Sequence, residues 1–248
     1  MVMKINLFVL ALCLAATVWA AEKAPEIVLR KPNVAEIPKG AERVEEFYEN
    51  GAVLLRGYVI KDKKVGPWQL FHTNATLQSE GEMKNDQRVG FWVYYFPNRK
   101  RSSDGEFNEK GRPIGEWHTY HPSGKLASVG KYEGGLEEGV WKSYSTNGFL
   151  TISCNYSKGR LDGPYNVFDE SGKTVVSGQY VKGSQEGEWV IKDPESGAVM
   201  RGAMKGGLRK GQWETLDPIK KLQIIHVYGK KGLCESAQTN TWQGSFGE

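Results

Sequence analysis

Gly66-Pro67-Trp68 is the first copy of a three-residue motif, a glycine, any residue and a large aromatic residue, that decides the fold of this chain. Seven copies occur, and one of them carries tyrosine in place of tryptophan. They are Gly66-Pro67-Trp68, Gly90-Phe91-Trp92, Gly115-Glu116-Trp117, Gly139-Val140-Trp141, Gly163-Pro164-Tyr165, Gly187-Glu188-Trp189 and Gly211-Gln212-Trp213. Successive glycines are 24, 25, 24, 24, 24 and 24 residues apart. A fixed short period of this kind predicts a repeat architecture.

Three further columns keep the same period. Three residues after the aromatic stands a second large residue: Phe71, Tyr95, Tyr120, Tyr144, Phe168 and Leu216, with Lys192 as the exception. Thirteen residues after it stands a small one: Gly81, Gly105, Gly130, Cys154, Gly178 and Gly202. Fifteen residues after it stands a long apolar or aromatic one: Met83, Phe107, Tyr132, Tyr156, Tyr180, Met204 and Tyr228. The repeat unit is therefore defined along most of its length.

Each unit divides into two short extended runs joined by turn residues. In the clearest unit, His121-Pro122-Ser123-Gly124 supplies the proline and glycine that tight turns require, and Gly134-Gly135 forms a second turn. The residues between the turns are rich in Trp, Tyr, Phe, Val and Thr, and no window has helical apolar spacing. Strands joined by such short turns are antiparallel neighbours. The sequence thus predicts an all-β fold, an elongated, twisted antiparallel β-meander of tandem two-strand repeats with about fifteen strands.

The turns also predict where the tryptophans lie. Folding each unit about its turn glycine brings the column of small residues opposite the tryptophan column, within one residue, so that an indole can lie over bare backbone. One indole per repeat would then form a ladder. The first aromatic and the aromatic three residues later have opposite parity in a regular strand. Either both faces of the sheet carry aromatics, or a bulge turns both inward, and the sequence leaves this choice open.

The ends of the chain differ from the array. Lys4 followed by the apolar stretch 5–18 and Val18-Trp19-Ala20 predicts a secretory signal peptide over residues 1–20, cleaved near Ala20. A membrane anchor is the alternative, but the apolar stretch is shorter than the ~20 residues of a spanning helix. Residues 21–43 are interpreted as a lead-in or linker, 44–228 as the array (one degenerate unit plus seven repeats) and 229–248 as a C-terminal tail. We therefore expect an exported protein, periplasmic or secreted.

The columns resemble the MORN repeat, specifically its bacterial variant of about 24 residues. The stretch Gly139 to Leu150 has the form Gly-x-Trp-x-x-Tyr-x-x-x-Gly-x-Leu, and Gly178 to Gly183 has the form Gly-x-Tyr-x-x-Gly. The resemblance implies β-hairpin arrays that serve as interaction or membrane-apposed modules. It also implies an antitoxin label, since many members carry one, although antitoxins normally act on cytoplasmic toxins.

Composition and motifs exclude several other classes of protein. The chain has 33 basic and 29 acidic residues, a net charge of +4 spread over every repeat, so no nucleic-acid partner is expected. His118 and His121 point to opposite faces of a strand with no cluster of acidic ligands nearby, so no metal or other cofactor is expected. No nucleophile, base and stabilising group can be assembled, and we expect no enzymatic activity.

Two functions remain. The first is a non-enzymatic exported repeat protein that acts as an interaction or scaffold module for a protein or a cell-envelope surface. The alternative is a cell-wall or glycan-binding protein that uses exposed repeat aromatics. Buried indoles at Trp92, Trp117 and Trp141 favour the first function, and exposed ones favour the second.

The two cysteines beyond the signal region test whether the array is open. Cys154 and Cys234 are separated by three and a third repeats, which places their columns roughly 30 Å apart in an open sheet. A disulfide needs Cα atoms within about 7 Å. An open array therefore predicts two unpaired cysteines.

Overall fold

The computed structural model describes residues 21–32 and 36–241, and the predicted signal peptide lies outside them. Seventeen strands and no helix are found in this part of the chain. They are β1 Glu42–Phe47, β2 Val53–Ile60, β3 Lys63–Phe71, β4 Leu77–Lys84, β5 Gln87–Tyr95, β6 Arg101–Phe107, β7 Pro113–Tyr120, β8 Leu126–Glu133, β9 Leu136–Tyr144, β10 Leu150–Ser157, β11 Arg160–Phe168, β12 Thr174–Val181, β13 Ser184–Lys192, β14 Val199–Lys205, β15 Leu208–Asp217, β16 Leu222–Tyr228 and β17 Cys234–Thr241. Among the described residues no helix is long and apolar enough to cross a bilayer.

Every strand pairs antiparallel with its neighbours in sequence, and the result is one open sheet. This confirms the predicted all-β meander of hairpin repeats. The sheet has seventeen strands, two more than the sequence suggested. It extends past Tyr228 because Cys234–Thr241 pairs with β16, within the segment interpreted as a tail. All eight residues of β17 are exposed, so this strand has no apolar column by which the sequence could reveal it.

Two kinds of turn alternate along the meander. The first is a two-residue turn such as Asn85-Asp86, with φ of 47° and 67°, or Gly134-Gly135, with φ of 59° and 97°. Positive φ at both positions defines the type I′ turn, whose twist matches that of antiparallel strands. The second closes between the His121 amide and the Lys125 carbonyl, at 2.8 Å, with Gly124 at φ 89°. The predicted turn residues therefore form the turns.

The Gly-x-Trp motif is a β-bulge in which the glycine must have a positive φ. Gly66 has φ 64°, and the other six motif glycines lie between 60° and 119°. Gln69 pairs with Arg56 and Val65 pairs with Tyr58, so three residues of β3 lie opposite Gly57 alone. Such a bulge lifts a side chain out of the regular ladder, and glycine adopts its left-handed backbone without strain. The bulge places the following indole over the neighbouring strand.

Each of the six motif tryptophans covers a glycine, but not the one with which it pairs. Trp68 pairs with Gly81, which confirms the predicted register. The indole that lies on Gly81, however, is Trp92 of the next repeat: a Cβ built on Gly81 would be 2.3 Å from its ring. The same contact joins Trp68 to Gly57, Trp117 to Gly105, Trp141 to Gly130, Trp189 to Gly178 and Trp213 to Gly202. A glycine in this column is therefore required by the aromatic that covers it.

The predicted ladder of stacked indoles is wrong. Between Trp92 and Trp141, the aromatic residue fifteen positions after each tryptophan inserts between successive indoles, edge to face. The ring centroids of Phe107 and Trp117 are 5.1 Å apart, those of Trp117 and Tyr132 are 5.9 Å apart, and those of Tyr132 and Trp141 are 5.1 Å apart. Edge-to-face contacts suit the aromatic quadrupole better than a sandwich does.

Both faces of the sheet carry aromatics, which settles the alternative that the sequence left open. From Trp117 to Thr119, β7 pairs with β8 without interruption, so Tyr120 lies on the face opposite to Trp117. We name these faces the Trp face and the Tyr face. The Trp face holds a buried cluster of Trp68, Met83 and Trp92, and the Tyr face holds one of Tyr120, Leu126, Tyr144 and Leu150.

The segment 21–32, which we name the N-terminal strap, packs on the Tyr face. Ala24 and Ile27 contact the buried cluster around Tyr120. The Ala24 amide donates to the Gly148 carbonyl, and the Leu150 amide donates to the Glu22 carbonyl, both at 2.8 Å. This part of the predicted lead-in is therefore attached to the sheet and does not form an exposed linker.

Candidate interaction surface

The indoles on the Trp face are held at two points. The ring lies on a glycine. In four repeats the indole N–H also donates a hydrogen bond to the carbonyl of the residue that follows this glycine. Trp92 Nε1 donates to the Glu82 carbonyl at 3.0 Å. The other three bonds join Trp68 to Tyr58, Trp117 to Glu106 and Trp213 to Ala203, at 3.2, 3.2 and 2.9 Å. The Nε1 atoms of Trp141 and Trp189 are buried and have no hydrogen-bond partner within the described part of the chain. The indoles are thus held by the backbone on which they lie.

Exposure of the motif aromatics varies along the array. Trp92 and Trp213, near the two ends, are 1% and 2% exposed. Trp68 and Trp189 are also buried, whereas Trp117, Trp141 and Tyr165, in the central repeats, are half-buried. Trp92 thus meets the burial criterion for the first function, whereas the half-buried Trp117 and Trp141 are neither buried nor exposed, so their exposure alone does not choose between the two functions.

Three of the four buried motif tryptophans have a cation over the indole ring. Four residues before the indole, Lys64, Arg88 and Arg209 place their charged groups 4.8, 5.2 and 4.6 Å from the ring centroids of Trp68, Trp92 and Trp213. A cation over an indole face is attracted by the ring quadrupole. In the central repeats the equivalent positions are Pro113, Glu137, Leu161 and Gln185, which carry no positive charge. Trp189 is covered instead by aromatic neighbours, with the Tyr165 and Tyr180 centroids at 6.0 and 5.4 Å.

In the central repeats no cation from the described part of the chain covers the motif aromatics, and we call these repeats uncapped. Their aromatic residues form a surface that we name the central aromatic strip. It consists of six half-buried residues: Trp117, Tyr132, Trp141, Tyr156, Tyr165 and Tyr180. Burial raises the pKa of Tyr132, and the nearby Glu137 carboxylate adds to the increase; the Tyr132 hydroxyl lies 3.5 Å from that carboxylate. Burial also raises the pKa of Tyr156 and Tyr165. The phenols are therefore neutral at ordinary pH, and Glu137 brings a negative charge to the edge of the strip.

Two departures from the repeat pattern lie at the same position in the strip. Cys154 stands in the glycine column, and Tyr165 stands in the tryptophan column. The structure pairs these two residues directly across β10 and β11. A phenol ring is smaller than an indole and leaves room beneath it, which the buried Cys154 side chain fills. Burial raises the pKa of the Cys154 thiol. Cys154 and Cys234 are both unpaired, as the open array predicts.

A buried polar cluster lies on the Tyr face. Asp104, 2% exposed, accepts hydrogen bonds from Arg101 Nη1 at 2.8 Å and the Tyr120 hydroxyl at 2.9 Å, and its Oδ1 lies 2.8 Å from His118 Nδ1. Burial alone would raise the pKa of Asp104, but the bonds from His118, Arg101 and Tyr120 outweigh it and lower that pKa. The other ring nitrogen of His118 lies 2.9 Å from Glu116 Oε1. The hydrogen bond to Asp104 raises the pKa of His118 despite burial.

The residues next to His118 in sequence give no sign of this cluster. Asp104 is fourteen residues earlier and meets His118 across the pairing of β6 with β7. His121, by contrast, lies apart and bonds the Tyr144 carbonyl through Nε2 at 2.9 Å. Among the described residues no group of three or more His, Cys, Asp or Glu side chains is arranged to hold a metal ion.

The N-terminal strap passes beside the polar cluster. Arg30 Nη1 pairs with Glu106 at 2.8 Å, and its guanidinium lies 4.4 Å from the Phe91 ring centroid. Arg101, which binds Asp104, also donates to the Arg30 carbonyl. The side chains of the cluster are thus occupied with one another and with the strap. The cluster fastens the strap to the sheet.

A comparison with protein families agrees with the repeat structure. The family described as MORN repeat variant matches residues 113–133. This segment begins with β7 and ends with β8, so it is one complete hairpin of the array. The match supports a MORN-repeat family for this chain, and such repeats fit an interaction module. No curated protein matches the chain.

Proposed function

We propose that this protein is a non-enzymatic, exported interaction module of the bacterial MORN-variant type that binds a partner protein through its central aromatic strip. The observation that carries the proposal is the contrast along the Trp face. Indoles at the ends are closed by the chain's own cations, whereas Trp117 and Trp141 are half-buried and uncapped. Contiguous, partly exposed aromatic surface of this kind is typical of interaction sites, and Trp and Tyr are the residues that most often anchor them.

The polar cluster does not favour an enzyme. A general base needs access to a substrate, but both ring nitrogens of His118 are occupied by carboxylates. Asp104 is buried under bonds from Arg101 and Tyr120. Fastening the strap is a sufficient role for these residues.

Export belongs to the proposal and rests on residues 1–20. An antitoxin role, implied by the resemblance, is not part of it, because a cytoplasmic toxin would not meet an exported chain. The test is the N-terminus of protein recovered from its native host. We expect it to begin at Ala21, and an intact Met1 would refute export without affecting the surface proposal.

A photo-crosslinking residue at Tyr156 tests the binding surface. Tyr156 is in the central strip, whereas Tyr58 is half-buried on the Tyr face and serves as the matched control. We expect a protein adduct from position 156 in the native envelope and none from position 58. Equal labelling at both positions, or no adduct at either, would contradict a partner on the Trp face.

Glycan binding is the second candidate, and one observation favours it. Because each indole lies flat on a glycine, the outer ring faces of Trp117 and Trp141 remain partly exposed, as sugar stacking requires. Retention of the protein on insoluble cell-wall polysaccharide, abolished by polysaccharide in solution, would support this candidate. Lack of retention together with a protein adduct at Tyr156 would exclude it.

A further inference from the structure

The end repeats show what the strip would bind. Arg88 pairs with Met83 and reaches the indole of Trp92 in the same hairpin, with its guanidinium 5.2 Å from the ring centroid. Arg209 occupies the equivalent register opposite Met204 and lies 4.6 Å from Trp213. These two arginines belong to different ends of the sheet, yet they cover their indoles alike. The outer face of the repeat indole is therefore a cation site that the chain itself fills at the ends.

In the repeat of Trp141, the residue at the register position of Arg88 carries the opposite charge. Glu137 pairs with Tyr132, as Arg88 pairs with Met83, and precedes Trp141 by four residues. Trp141 is half-buried, and its neighbours Tyr132 and Tyr156 also face the strip. A cation placed there would meet both the indole face and the Glu137 carboxylate. Either attraction alone is weak at an exposed site, but together they select a positive group.

We propose that the central aromatic strip receives a basic segment of a partner protein, with a lysine or arginine side chain over Trp141, paired with Glu137. This deepens the proposed function and rests on it. Trp117 and Trp141 are two strands apart, about 9.6 Å. A segment in the polyproline II conformation spans about that distance in three residues and brings every third side chain back to the same side. A second basic side chain three residues away therefore reaches Trp117. Pro113, four residues before Trp117, adds no counter-charge, so the contact at Trp141 contributes more to affinity.

Non-specific attraction does not produce this preference. The chain carries a net charge of +4, so its overall field repels basic peptides. Binding of a basic segment therefore requires a local acceptor, and Glu137 beside the uncapped indole supplies one.

The test measures binding of a labelled hexa-arginine peptide to the purified protein by fluorescence anisotropy, with hexa-glutamate as the control peptide. Glu137→Arg installs the cap that Arg88 and Arg209 provide elsewhere, and we expect it to weaken hexa-arginine binding by about tenfold or more. Glu137→Gln removes only the ion pair and should weaken binding by about threefold. Glu133→Arg is the matched control, because it makes the same charge change on an exposed residue of the same hairpin. It should change the affinity less than twofold.

The outcomes separate this inference from the proposed function. Equal weakening by Glu133→Arg and Glu137→Arg would show a general charge effect and overturn the inference, as would absence of hexa-arginine binding to the unaltered protein. If the native partner still forms an adduct at Tyr156 in the Glu137→Arg protein, the interaction module stands and the basic segment is refuted. Retention on neutral polysaccharide that is insensitive to Glu137→Arg would also refute it. Should Glu137→Arg fold poorly, Glu137→Gln alone decides, and unchanged affinity would contradict the inference.

Discussion

Substituting alanine for Gly81 tests the contact that repeats through the array. Gly81 has no left-handed backbone requirement, so its backbone accepts alanine and only the space above it is at issue. The new Cβ would lie 2.3, 2.4 and 2.5 Å from Cδ2, Cε2 and Cγ of Trp92. Carbon atoms in contact are about 3.5–4.0 Å apart. The indole must therefore move outward by more than about 1 Å.

The loss of stability in Gly81→Ala has two contributions, overpacking and a broken hydrogen bond. Overpacking of a closed site costs about 1–3 kcal/mol. Displacing the ring also breaks the 3.0 Å bond from Trp92 Nε1 to the Glu82 carbonyl, and a lost hydrogen bond adds about 1 kcal/mol. We expect Gly81→Ala to destabilise the β4–β5 region by about 2–4 kcal/mol.

Hydrogen exchange read by mass spectrometry is the appropriate assay, because repeat arrays open locally and a single unfolding free energy is poorly defined. Amides of β4 and β5 should exchange faster in Gly81→Ala, and a second change, Trp92→Tyr, should restore part of the protection. Cys154→Ala is the matched control, since the smaller Tyr165 ring already leaves room for a side chain there, and it should have little effect. Unchanged protection in Gly81→Ala would refute the glycine–indole contact.

Three further predictions follow from the structure. Trp141→Ala should destabilise its hairpin by about 3 kcal/mol, near the lower end for a large aromatic because the ring is half-buried; unchanged exchange in β9 and β10 would contradict this. Asp104 raises the pKa of His118, so their pairing stabilises the fold fully below about pH 6.5, and this stabilisation is lost as the pH rises through the raised pKa. The free energy of unfolding should therefore fall above that pH in the unaltered protein and fall less in Asp104→Asn. Protein that lacks residues 1–20, and with them Cys13, should have one reactive thiol when native, Cys234, and two when unfolded, whereas a disulfide between Cys154 and Cys234 would rule out the open sheet.

The sequence determined much of the fold because its period and turn chemistry agree. Columns at fixed spacing predicted paired strands, and the turn at Gly124 placed Trp117 opposite Gly130 as observed. The glycine covered by each indole could not be predicted, because it depends on the bulge at Gly-x-Trp. The bulge requires a positive backbone φ at its glycine, for example at Gly115, where φ is 66°.

The site was less predictable for a different reason. Arg88 is an ordinary surface charge in the sequence, and its contact with Trp92 appears only when the register sets the guanidinium beside the indole. Glu137 is likewise an ordinary charge in the sequence, and the register places it opposite Tyr132. Asp104 and His118 likewise meet only across two strands. A column four residues before each tryptophan, basic at the ends and not in the centre, was a signal that could have been read from the sequence.

Accessibility of individual indoles tests most directly the claim that the Trp face is closed at its ends and open in its centre. The measurement is ¹⁹F NMR of the protein labelled with 5-fluorotryptophan, with each resonance assigned by single substitution and its solvent exposure read from the line broadening caused by a soluble paramagnetic quencher such as a gadolinium chelate. We predict that Trp117 and Trp141 respond to the quencher, whereas Trp92 and Trp213, capped by Arg88 and Arg209, do not. An equal response from all four indoles would contradict the distinction between capped and uncapped repeats.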